Sequence, residues 1–180
     1  MDNRNYSWDP NAVANYIVDY ANKNGKTLTN LKLQKVLYFL QAAFLVEHDS
    51  TLMDIKFSRW QYGPVSRDVY YNFNDRGALP IKEKTAVLNM ENFSFSVPTL
   101  GKVPNDVEGD LNRYIDSLLT FSASDLVKAT HSQALWADYQ DDIAKHMAPE
   151  YTDEEIRNYF NSHKEDRTVS YTHLRAHETL

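Results

Sequence analysis

The chain has 180 residues, and its 19 Lys and Arg against 25 Asp and Glu give a formal net charge of −6, which opposes non-specific attraction to phosphate backbones and anionic lipid. At 42% hydrophobic, 24% charged and 13% aromatic it has the balance of one globular domain, rich in aromatic residues, rather than of a disordered segment. The absence of cysteine excludes disulfide scaffolding, thiol catalysis and Cys-ligated zinc, and no stretch approaches the roughly 18 apolar residues of a membrane span.

The start lacks an apolar core behind a basic segment, so the cytoplasm is the expected address. Asp9-Pro10 reads as N-cap and first residue of a helix, because the carboxylate accepts orphan N–H groups and proline has no N–H to waste there. Val13, Tyr16, Ile17 and Tyr20 give that helix one apolar face, and Asn24-Gly25 ends it. Next comes LKLQKVLYFLQAAFLVEH, capped by Thr29 or Asn30. Leu33, Val36, Leu37, Leu40 and Phe44 form a core stripe, yet Leu31, Tyr38, Phe39, Ala42 and Leu45 fill the other faces. A helix apolar nearly all round is either central in its fold or docked to something else. Gln34, Gln41 and His48 recur every seven residues as a narrow polar seam, suited equally to a core and to an interface. Lys32 and Lys35 sit in the first turns, where the helix dipole disfavours cations. Either their stems cover apolar neighbours with the ammonium in water, or they await an acidic patch on a partner.

From Leu52 to Tyr62 the alternation of Ile55, Phe57 and Arg59 with Lys56, Ser58, Trp60 and Tyr62 predicts a strand. Gly63 permits a turn and Pro64 then opens a helix lined by Val65, Val69 and Phe73 and ended by Gly77. FSFSV at 93–97 is a second strand, and LPIKE near residue 81 a weaker one. Val107, Leu111, Tyr114, Ile115 and Leu118 mark a helix opened by Asn105 or Asp106. Ser122 with Asp125 and Thr152 with Glu155 are capping boxes for two more. The stretch from Asp138 to Glu155 is acidic and reads as a solvated face. The ending SYTHLRAHET resembles adapter DNA translated onto a truncated gene, so residues 169–180 are expected to be a non-native tail behind a domain at 1–168.

Chemistry-bearing clusters are few. His173 and His177 have the four-residue spacing with which two imidazoles on a helix bind zinc, but both lie in that tail, and no metal or cofactor is expected. His131 is the one imidazole placed to be a general base; its bland reading is a hydrogen bond to a carbonyl or carboxylate that fixes the Trp136 loop. Five unclustered glycines exclude the phosphate-loop fingerprints. A DNA-reading helix at 65–76 would offer only Arg67 and Arg76 as cations, beside Asp68 and Asp75. No enzyme is expected, and nucleic-acid binding is disfavoured.

Three runs in order, LKLQKVLYFLQAAFL (31–45), the pattern of Phe57, Trp60, Tyr62, Gly63, Pro64, Val65, Val69 and Tyr70, and LVKATHSQALW (126–136), resemble the Panacea antitoxin domain. This is the SocA-like family also known from phage-associated GepA proteins. Leu135 stands where proline commonly precedes the Trp of the third motif. The resemblance implies a bacterial or prophage antitoxin of a type II toxin–antitoxin system, neutralising a toxin encoded by a neighbouring gene through direct protein–protein binding. Some relatives act instead as adaptors that hand a bound toxin to a protease; a DNA-binding regulator is the other alternative. The expected architecture is a single mainly helical α+β domain of about six to eight helices with a small antiparallel sheet or hairpin. Expected partner contacts are Lys32, Gln34, Lys35, Trp60, Tyr62, Arg67 and Tyr70. Leu33, Leu37, Tyr38, Phe39, Gly63, Pro64, Val65, Thr130, His131 and Trp136 are expected to be structural motif positions, and self-association is left open.

Overall fold

A computed structural model describes residues 6–166, and the sequence features placed at 169–180, His173 and His177 among them, lie outside it. Among the described residues are eight α-helices: α1 (Pro10–Lys23), α2 (Asn30–Glu47), α3 (Arg67–Asn72), α4 (Asn105–Leu119), α5 (Ala123–His131), α6 (Ala134–Ala137), α7 (Gln140–Ala144) and α8 (Asp153–Ser162). A short 3₁₀ turn covers Asn74–Arg76. Two antiparallel hairpins complete a mainly helical α+β domain, β1 (Ser58–Trp60) with β2 (Gly63–Val65) and β3 (Val87–Asn89) with β4 (Ser94–Ser96).

The caps explain the helix starts. Asp9 accepts from the Asn11 amide with Pro10 behind it, Thr29 accepts from the Lys32 amide, and the boxes at Ser122–Asp125 and Thr152–Glu155 form in both directions. Gly25, at φ +63°, takes the left-handed turn that ends α1.

α2 is the hub. It packs against α8, α4, β2, α5, α1 and α3, and every residue from Leu33 to Leu45 is buried, so its all-round apolar surface is core. The polar seam serves that core as well. Gln34 accepts from the Ser66 amide at 2.9 Å and donates to Asn30, whose own amide reaches the Tyr70 carbonyl, stapling α2 to the start of α3. Gln41 holds the chain at Leu52 and Met53 through both amides and a carbonyl and reaches Asp153 at 3.2 Å. His48 stacks on Phe44 and places Nε2 3.0 Å from the Asp110 carboxylate of α4.

The first hairpin departs from the strand-then-helix reading. The strand is three residues long, Trp60 pairs with Gly63, and Gln61-Tyr62 is the two-residue loop between them. Pro64 is therefore not the first residue of a helix; it pairs with Arg59 in β2. With Trp60 and Gly63 as the hydrogen-bonded pair beside the loop, the Arg59–Pro64 pair exchanges no ladder bonds, and the missing proline N–H costs nothing. α3 begins at Arg67, its Ser66 amide bonded by Gln34. LPIKE is not a strand: Ile81 is buried and donates its amide to the Leu28 carbonyl at 2.7 Å.

Candidate functional site

Three side chains from separate helices converge on the carbonyls of the first hairpin. Lys35 of α2 donates to the Pro64 oxygen at 3.0 Å, His131 at the end of α5 to the Gln61 oxygen at 2.9 Å, and Trp136 of α6 to the Trp60 oxygen at 2.8 Å. A carbonyl only accepts, so the His131 proton sits on Nε2. His131 and Trp136 stack with ring centroids 3.8 Å apart. Burial, with the nearby Lys35 charge adding to it, lowers the His131 pKa against the opposing pull of its hydrogen bond. Lys35 is wholly buried, and burial alone brings its amine down to about 7. Gly63, at φ +97°, is required where these parts meet: an added Cβ would lie 2.6 Å from Thr130 Oγ1 and 2.9 Å from Lys35 Cε.

Arg59 anchors the other side of the hairpin. Its guanidinium lies between the rings of Tyr139 and Tyr151, at 3.9 and 4.2 Å from their centroids. It donates to the Leu135 and Pro149 carbonyls, both at 2.7 Å, and to Glu155 at 3.3 Å. Its bond to the Leu135 carbonyl ties the segment before Trp136 to the first hairpin through a main-chain oxygen.

The hairpin so fixed forms one wall of an open groove of about 1300 Å³. The start of α2 with Gln34, the lip residues Trp60, Tyr62, Arg67 and Tyr70, and the segment from Gln140 to Glu150 line it. Trp60 and Tyr70 meet edge to face at 5.0 Å, both half-buried, the Arg67 guanidinium lies 6.0 Å from the Trp60 ring, and Tyr62 is 58% exposed. Trp60, Tyr62, Arg67 and Tyr70, four of the expected contact residues, thus share one accessible rim.

Lys32, Gln34 and Lys35, expected on a partner surface, have internal partners instead. Lys32 donates to the Leu119 carbonyl at 3.0 Å, burial and the Lys26 charge lowering its pKa, and Gln34 and Lys35 hold α3 and β2. Each ammonium donates to a main-chain oxygen of a distant segment within the fold. The expected motif positions Leu33, Leu37, Tyr38, Phe39, Pro64, Val65 and Thr130 are all buried. Tyr38 donates to Gln133 at 2.7 Å, and burial raises its hydroxyl pKa well above the ordinary value. Arg59, Tyr139 and the 140–150 wall were not singled out in the sequence; the inward phase of Arg59 beside Phe57 was the available signal. Among the described residues no group of acidic or histidine side chains is arranged to hold a metal ion, and no helix is long and apolar enough to cross a membrane.

The family model described as "Antitoxin SocA-like, Panacea domain" matches residues 33–137, which include most of α2, the clamped hairpin and the His131–Trp136 stack. The chain belongs to the SocA-like antitoxin family. The protein "Antitoxin SocA" of Caulobacter vibrioides (strain NA1000 / CB15N) is 33% identical over 129 residues, covering 70% of this chain and 66% of that protein. No solved structure matches.

Proposed function

We propose that this SocA-like antitoxin is the protein antidote of a type II toxin–antitoxin pair, acting in the cytoplasm. It neutralises the toxin of a neighbouring gene by direct binding, and the groove beside the first hairpin is the docking surface. The observation that carries this reading is the rim formed by Trp60 and Tyr62 on an immobilised hairpin with Arg67 and Tyr70 of α3 beside them. Trp, Tyr and Arg are the residue types that dominate interface hot spots, and a rigid mount lowers the entropy lost on docking. A groove of about 1300 Å³ also exceeds the roughly 300–1,000 Å³ of small-molecule sites and suits a polypeptide segment. Occlusion or distortion of the toxin needs no turnover, so no catalytic group is required.

The test is expression of the neighbouring reading frame with and without this protein, followed by binding measurements with the purified pair. Trp60→Ala with Tyr62→Ala is expected to weaken toxin binding at least tenfold and abolish protection while the protein remains folded by circular dichroism. A neighbour that is harmless alone overturns the antitoxin pair; unchanged affinity in the double variant overturns the groove. Toxin levels that fall only in the presence of a protease would assign the adaptor mechanism instead.

A further inference from the structure

The second hairpin carries a cluster of exposed apolar side chains. Strand alternation puts Leu88 and Phe95, which are cross-strand partners, on one face and Val87, Asn89, Ser94 and Ser96 on the other. Met90 and Phe93 in the turn and Val97 just after β4 add further exposed apolar side chains to the arm. Phe93, Phe95 and Met90 are 73, 71 and 70% exposed, Val97 44% and Leu88 38%. A Phe side chain alone offers about 150–250 Å², so the cluster exposes on the order of 500 Å², near the upper end of the apolar patches on monomeric proteins.

This arm is built to stand out. Asn15, buried in α1, donates to the Thr85 and Pro98 carbonyls and accepts from the Thr85 amide, gripping both ends of the hairpin at its base. Thr85 Oγ1 also donates to the Asn72 carbonyl. At the tip, Asn89 accepts from the Glu91 amide and Asn92 from both the amide and the hydroxyl of Ser94, which set the turn without using any apolar side chain. Phe93, at φ +53°, sits in the left-handed region that a bulky residue rarely occupies, so a large aromatic is kept where the turn would be easier without one. No further strand pairs with β3 or β4 among the described residues.

We propose that this face is a self-association surface on which a second copy of the chain packs its own arm face to face. Two such hairpins form a two-layer unit of four strands, which supplies the cover that a lone two-stranded hairpin lacks. The patch serves both copies at once, as a twofold interface requires. Burying it on both sides removes on the order of 1,000 Å², the lower limit for a specific interface, so the dimer is expected to be weak, with a dissociation constant in the micromolar range. Charge favours this site for a self-contact: each copy carries −6 overall, yet from Thr85 to Val97 the sole charged residue is Glu91, so the arms are where two like-charged molecules meet with least repulsion. Salt should then strengthen the dimer by screening the rest of the surface, whereas it would weaken docking of an oppositely charged protein.

Sedimentation velocity on the full chain, from about 1 to 300 µM and at low and high salt, tests the proposal. The expected result is a concentration-dependent dimer, tighter in high salt. Phe95→Asp should raise its dissociation constant at least tenfold with the melting temperature unchanged, and Phe95→Leu should retain it. A monomer at every concentration, or a dimer that Phe95→Asp leaves intact, overturns the proposal. A monomer in which Phe95→Asp lowers toxin affinity also overturns it and gives the arm to the toxin.

Discussion

The two hairpins are nearly the same object twice, three-residue strands paired antiparallel, and they have opposite surroundings. A two-stranded hairpin is marginal on its own in water. The first is held from without: Lys35, His131 and Trp136 bond three of its carbonyls, Arg59 is lodged between two tyrosines, and Pro64 and Val65 are buried. The second is held by Asn15 at its base and by Asx turns at its tip, and its apolar face is left open. Rigidity in the first comes from helices that close over it. In the second it comes from polar anchors that leave the side chains free for another molecule.

The contrast can be broken from the first hairpin. Gly63→Ala should be the most damaging single change, since it forces a non-glycine residue to φ +97° and drives its Cβ against Thr130 Oγ1 at 2.6 Å. Backbone strain of about 1–3 kcal/mol plus overpacking of similar size gives an expected loss of about 4 kcal/mol, read from urea denaturation. Next is the pH dependence set by Lys35. Below pH 7 its amine is protonated in both folded and unfolded chains; between about 7 and 10.5 only the unfolded chain keeps the proton, so this residue makes stability rise with pH through that window. The difference in unfolding free energy between wild type and Lys35→Met should therefore shift by up to about 4 kcal/mol in favour of the wild type from pH 7 to 10.5. A flat difference would mean that the amine is solvated. For the second hairpin the sensitive point is the base: Asn15→Ala leaves the Thr85 amide and two carbonyls unpaired and should cost about 2 kcal/mol. Hydrogen exchange should show the loss concentrated at 85–98, with the groove residues unaffected.

Much of this domain is legible in the residues because its helices are locally signed. Asp9-Pro10, Thr29 and the two capping boxes fix four helix starts from contacts within three residues, and the 3.6-residue period of Val107 to Leu118 needs no tertiary knowledge. The first hairpin was misread at Pro64, since proline suits both the first turn of a helix and a non-hydrogen-bonded strand position; the register with Arg59 decides between them and is not a local property. The lysines failed for the same reason. An apolar helix carrying Lys32 and Lys35 gives no sign whether their amines point to water or to carbonyls, and the acceptors, Leu119 and Pro64, are 87 and 29 residues away. Of the candidate site, the types of the rim residues were readable, because Trp, Tyr and Arg cluster around the Gly-Pro corner. The groove itself was not, because the 140–150 segment that faces them carries no motif and reads only as an acidic run.

The central position of α2 bears on synthesis. Tyr38 and Phe39 are covered in the folded chain by rings from Tyr151 and Phe160, so their face of α2 stays bare until α8 has been made. At about 5–20 residues per second the ribosome needs on the order of ten seconds to pass from the end of α2 to the end of α8. A nascent chain therefore spends that interval with its most apolar helix unprotected, and a message cut short before α8 yields a polypeptide with no complete core.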